Sequence, residues 1–241
     1  MNDLIVIVAG LLPAVLLFFY IWKTDPQKEP LSQLLKGALG GVLISFPVSL
    51  VEMVIQQVIF GGGAPTTLLG TTIDAFFVAA VPEESFKLLV LWLLVRKNPY
   101  FNEHFDGIVY AVSVSLGFAA IENVFYLIGN PDDWHSVALM RALLAVPGHY
   151  AFAVIMGYYY SLYHFVDRSQ YNRNMILVAP VVAHGVYDSL AMSGMVSPTL
   201  GTIGFFLLVY FCARMHKFAR KKMMAQLEKD RYQDVLNDWI G

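Results

Sequence analysis

The sequence predicts an all-α fold, a polytopic bundle of transmembrane helices, and three observations carry that prediction. Of its 241 residues 57% are apolar and 14% are charged, and the mean hydropathy is +0.58, so polar side chains are too few to cover a soluble domain. The apolar residues gather in runs of the length that crosses about 30 Å of hydrocarbon, which takes about 20 helical residues. Lysine and arginine cluster between alternate runs instead of being spread evenly.

The first run, residues 4–22, has almost no polar flank before it and no small-residue cleavage site after it, so it reads as a retained helix and not a removed signal peptide. The second, 37–60, carries Glu52, Gln56 and Gln57 and ends in GGGAP, a flexible loop. The third, 68–95, contains Pro82, which removes a backbone donor and crowds the turn before it. It is one span, or two shorter helices. Runs at 105–128, 137–163, 175–192 and 198–216 complete a count of seven, or eight if Pro82 breaks the third. Residues 217–241 mix apolar and charged side chains, which predicts an amphipathic tail after a membrane domain of 1–216, lying on anionic lipid or packed under the bundle, with a solvated tail as the equal alternative.

Lys23, Lys28 and Lys36 follow the first run, Arg96 and Lys97 the third, Arg168 and Arg173 the fifth, and Arg214, Lys217, Arg220, Lys221 and Lys222 the last. That alternation puts the amino terminus outside and the carboxyl terminus in the cytoplasm, with Arg141 as the exception near an outer end. A net charge of −2 gives no bulk attraction to nucleic acid. The single cysteine, Cys212, lies in an apolar run and forms no intrachain disulfide.

Against this background the stretch AAVPEESFKLL stands out. An ionisable side chain in mid-membrane costs about 2.5–3.5 kcal/mol on insertion scales, so Glu83, Glu84 and Lys87 need a partner or a task. On a helix Lys87 lies i+4 from Glu83 and i+3 from Glu84, so it neutralises one carboxylate and leaves one charge over. Three further runs carry polar groups at overlapping depths: Glu122 in FAAIEN, His149 in PGHY, and His184 with Asp188 one turn later in AHGVYD. One water-filled cavity satisfies all of them together. Taken singly each has a structural explanation, a lone histidine being more often a bond between helices. Glu103, His104, Asp106 and Asp74 lie near span ends, where interfacial water solvates them.

A carboxylate beside bound water can act as general base if something stabilises the oxyanion, and two histidines with carboxylates are a ligand set for zinc with an open position. Both routes end in hydrolysis. Ser85 and Ser189 have no adjacent histidine to activate them, and phosphate-binding glycine loops are absent. Mid-membrane acids and histidines also suit a proton- or cation-coupled transporter, a haem held by His149 and His184, or a non-catalytic scaffold that keeps a polar cavity.

Pro82-Glu83-Glu84-x-x-Lys87, Phe118-x-x-x-Glu122-Asn123, His149 and His184-x-x-x-Asp188 resemble, in order and spacing, the motif set of the PrsW family of bacterial intramembrane proteases. The resemblance covers nearly the whole membrane domain. It extends to the CAAX prenyl endopeptidase and bacteriocin-processing superfamily, whose pattern is a glutamate pair, F-x-x-x-H and H-x-x-x-N. Here the second motif ends in Glu122 and the third in Asp188. Ionised carboxylates cannot donate to an oxyanion as histidine and asparagine do, so another electrophile is required, and a divalent metal supplies it. The resemblance thus implies Glu83 as general base and Glu84 with Lys87 as its support. It implies Glu122, His149, His184 and Asp188 as candidate ligands of a Zn2+, with Asp188 standing behind the other three, and metal-free carboxylate catalysis as the open alternative. It further implies a multi-pass protein of the bacterial inner membrane, embedded in lipid, whose substrate is a single-span membrane protein such as an anti-sigma factor.

Overall fold

Backbone amides within hydrocarbon have no water to bond, so a spanning segment must satisfy them internally, and each long apolar run of this chain does so as a helix. The fold is given by a computed structural model that describes residues 3–240, apart from the side chains of 234 and 236–240. Seven long helices follow one another: α1 (Asp3–Thr24), α2 (Leu31–Phe60), α3 (68–95), α4 (Asp106–Gly129), α5 (Trp134–Val166), α6 (Gln170–Ala191) and α7 (Pro198–Ile240). Among the described residues there is no strand. All but α3 are long and apolar enough to cross a membrane; α3 has the length but holds Asp74, Glu83, Glu84 and Lys87.

Pro82 does not divide α3. The helix instead widens to a π turn over Asp74–Ala80, and the Val81 N–H reaches back five residues to the Phe76 carbonyl. The wider turn makes room for a residue that donates no N–H and crowds the carbonyl four back, so the alternative of two shorter helices is not realised. The same device recurs in α5, where a π turn at Arg141–Ala145 comes just before Pro147 and the Val146 N–H reaches the Arg141 carbonyl.

α4 is buried over most of its length and forms the centre of the bundle. Small residues let the neighbouring backbones approach it. A Cβ on Gly117 would lie 2.0 Å from the Ala38 carbonyl oxygen of α2, and one on Gly41 would lie 2.0 Å from the Val114 oxygen of α4. Lipid offers no hydrophobic drive between helices, so this close packing is what holds α2 on α4.

Residues 217–240, expected as an amphipathic tail, continue α7 without a break. Met215, Ala219, Met223, Gln226 and Asp230 make a buried stripe at helical spacing, so this part of α7 packs against the bundle. Asp230 accepts from the backbone N–H groups of His104 and Phe105 and from His104 Nδ1, each at 2.8 Å, and so caps the start of α4. Asp106 accepts from the N–H groups of Asn102 and Glu103, a turn-forming role at a helix end, and it is buried there and not solvated by interfacial water as expected. In the loop from α1 to α2, Glu29 accepts from the Tyr110 hydroxyl, and burial pushes the carboxyl groups of Asp25 and Glu29 above the usual range.

Gly117→Ala is expected to destabilise the protein by about 1–3 kcal/mol, because its methyl meets a backbone carbonyl that cannot move aside. Gly129→Ala, which meets nothing within 4 Å, should leave the thermal midpoint in detergent unchanged. Equal midpoints for the two variants would show that α2 and α4 are not this close.

Candidate active site and metal centre

The site begins on the first turn of α3 beyond the π turn. Helical spacing brings Lys87 back over both glutamates, and its Nζ donates to Glu83 Oε2 and to Glu84 Oε1 at 2.8 Å each. The third ammonium proton goes to His149 Nδ1 on α5, 3.2 Å away. The ammonium also lies 4.4 Å from the centre of the Phe118 ring, and the side chain is only 2% exposed. Glu84 is fully buried behind Glu83.

His149 follows the π turn and Pro147 of α5, and the Ser115 hydroxyl of α4 donates to its carbonyl at 3.0 Å. Because Lys87 donates to Nδ1, that nitrogen carries the lone pair, and Nε2 carries the proton it gives to Glu122 Oε2 at 2.9 Å. Glu122 is paired in turn with Arg141 at 2.7 Å, and the Arg141 Nε donates to Asn123 Oδ1, whose amide nitrogen donates to the Gly10 carbonyl of α1. Four helices are thus tied through one imidazole and its partners.

His184 comes from α6, which seats closely because Gly185 faces the Phe76 ring in the π turn of α3, where a Cβ would lie 2.5 Å from it. The imidazole stacks on Phe152, with ring centres 4.7 Å apart and 18° between planes. Its Nδ1 lies 3.0 Å from Glu84 Oε1 and 4.0 Å from Glu83 Oε2, and its Nε2 lies 3.1 Å from Asp188 Oδ2. The two histidine rings stand 5.3 Å apart, nearly perpendicular.

These groups line a cavity of about 850 Å³ between the helices. Glu83, Glu122, Arg141, His149, His184 and Asp188 are on its walls, together with Glu52 of α2 and Asp74 of α3. All seven residues singled out from the sequence therefore meet in one network: Glu83, Glu84, Lys87, Glu122, His149, His184 and Asp188. Arg141 was missed as a site residue, although it was the one basic residue that broke the loop alternation.

The donor set suits a divalent metal. One ligand atom each from Glu83, His149 and His184 lie within 4.8 Å of one another, and two imidazoles with one carboxylate leave an open position. His149 Nδ1 meets the Lys87 ammonium and His184 Nδ1 meets Glu84 Oε1, while each Nε2 holds a carboxylate that orients the ring. The candidate triad shares both histidines with the ligand set expected from the sequence and differs in including Glu83. Glu122 and Asp188 lie on the outer nitrogens, and Glu83 lies with the inner ones.

Comparisons with known proteins agree with this chemistry. Residues 29–215 match the family described as PrsW family intramembrane metalloprotease. The chain is 37% identical over 221 residues to Protease PrsW of Geobacillus kaustophilus (strain HTA426), covering 90% of this chain and 92% of that one. It is 35% identical over 227 residues to Protease PrsW of Bacillus subtilis (strain 168), covering 92% and 99% respectively. With Protease PrsW of Oceanobacillus iheyensis the identity is 33% over 206 residues, covering 85% and 91%. No solved structure gives a significant match.

Arg141→Gln leaves the partly buried Glu122 carboxylate with only a histidine against it, and removing that partner costs about 1–3 kcal/mol. The expected result is a marked fall in the thermal midpoint in detergent, largely restored by adding Glu122→Gln. If the double variant is no more stable than Arg141→Gln alone, the pair does not carry the coupling assigned to it.

Proposed function

Because the chain belongs to the PrsW family of intramembrane metalloproteases, we propose that its substrate is a single-span membrane protein, an anti-sigma factor that it cuts first during envelope stress. The observation that carries the site assignment is that Glu83, His149 and His184, from three helices, stand side by side on the wall of one cavity among membrane-crossing helices. In this reading the chain crosses seven times, α3 included, with the amino terminus outside and the carboxyl terminus in the cytoplasm, the orientation that the loop charges favour. The membrane is the bacterial inner membrane. Residues 1–216 form the protease domain in this reading, and 217–241 are its cytoplasmic extension.

Glu83, His149 and His184 are the residues that would hold the metal. When bound, a divalent ion supplies an acidified water and a Lewis acid for the scissile carbonyl. Glu122 and Asp188 orient the imidazoles through their outer nitrogens, and Arg141 anchors Glu122. Lys87 and Glu84 set the position of the Glu83 carboxylate. Glu83 faces the cavity and Glu84 does not, so of the pair it is Glu83 that reaches entering water and substrate. Without an ion, Glu83 is the group able to take a proton from that water, the role of general base read from the sequence.

Purified protein mixed with a single-span reporter tests the assignment. Glu83→Gln is expected to abolish cleavage, to below about one hundredth of the parent rate, while the thermal midpoint shows an intact fold. Cleavage at the parent rate would remove Glu83 from the chemistry. Chelation should abolish activity and Zn2+ should restore it; activity that persists in chelator assigns the base role to Glu83 and removes the metal.

A further inference from the structure

We propose that Lys87 is a tethered cation that occupies the metal's place in the unloaded protein, so that metal binding is an exchange of one cation for another. The inference rests on the metal-holding reading of Glu83, His149 and His184 and adds a role for a residue outside that set. The Lys87 ammonium has three protons and three acceptors: Glu83 Oε2 at 2.8 Å, Glu84 Oε1 at 2.8 Å and His149 Nδ1 at 3.2 Å. Two of those residues, Glu83 and His149, belong to the candidate metal triad.

A neutral imidazole nitrogen has a single lone pair in the ring plane, which serves one donor or one metal at a time. His149 cannot turn its other nitrogen inward, because Nε2 is bonded to Glu122, itself anchored by Arg141. An ion held by both His149 and Glu83 would compete with Nζ for His149 Nδ1 and Glu83 Oε2, two positive charges drawing on the same acceptors. One occupant must leave.

The structure also offers the displaced ammonium a destination. Glu84 Oε2 is buried, in a residue with no solvent exposure, and has no hydrogen-bond partner. An unsatisfied buried carboxylate oxygen is costly, and a flexible four-carbon stem already bonded to Oε1 of the same carboxylate reaches it by a small rotation. Lys87 then keeps Glu84 and releases Glu83 and His149. This divides the work of the glutamate pair: Glu84 retains the lysine, and Glu83 changes hands between lysine and metal.

The test is metal affinity, read by competition with a chromophoric chelator on the full-length protein in detergent. Lys87→Met removes the competitor and is expected to bind Zn2+ at least tenfold more tightly than the parent, whereas Lys87→Arg, which keeps a cation, should not gain. If Lys87→Met fails to fold without metal, parent protein labelled with 15N at lysine Nζ gives the same answer: one buried ammonium resonance should move on addition of Zn2+. Equal affinities in parent and Lys87→Met, or an ammonium resonance that stays put in metal-saturated protein, would show that lysine and metal coexist, overturning the exchange and leaving the protease assignment untouched. If no metal binds to the parent or to either variant, the metal-holding reading falls and the exchange falls with it.

Discussion

The three contacts of the Lys87 ammonium are the interaction on which the rest of the site depends. Two adjacent carboxylates on a helix within the bundle are tolerable only if something positive reaches both, and helical spacing gives Lys87 that reach. The same ammonium extends to His149, which commits that imidazole to one tautomer and turns its other nitrogen toward Glu122. Glu122 then requires Arg141, and Arg141 engages Asn123. Satisfying one buried charge thus recruits the next, until α1, α3, α4 and α5 are joined, with α6 brought in through His184 and Glu84.

Two prolines and two π turns give this network its geometry. A proline inside a helix normally bends or breaks it, yet Pro82 and Pro147 each follow a widened turn that takes up the missing hydrogen bond. The residues just after each proline, Glu83 with Glu84 and then His149, are those that face one another. The π turn of α3 also carries Phe76, whose ring packs where Gly185 has no side chain, and that contact seats His184 against the pair. Function and backbone irregularity therefore coincide along α3 and α5.

Much of this was legible in the sequence because it is local. Apolar runs mark the long helices, and residues one turn apart, Glu83 with Lys87 and His184 with Asp188, must share a helix face. Depth along each helix followed from residue counting. Azimuth did not, and cross-helix partners are a matter of azimuth. For that reason the link from Lys87 to His149 and the placement of Glu122 against the other nitrogen of that ring were not readable, and Glu83 was expected as the base and not among the candidate ligands. Arg141 gave a signal in the wrong register, appearing as an exception to loop charge when it is the counterion of Glu122. Pro82 left the third run open between one span and two shorter helices, since helix breaking is its usual effect and nothing local announces the π turn that absorbs it.

The central claim is that ionisable groups from separate helices meet in water inside the bundle and not in lipid. Two single cysteines in a background where Cys212 is replaced by serine test it at one depth on one helix: Ala79, on the cavity wall, and Phe77, 59% exposed on the outer face of α3. A water-soluble thiosulfonate reagent applied to protein in lipid bilayers should modify the cysteine at 79 rapidly and spare the one at 77. Modification of 77 with 79 left intact would mean that the cavity is closed to water and that these charges are compensated in some other way.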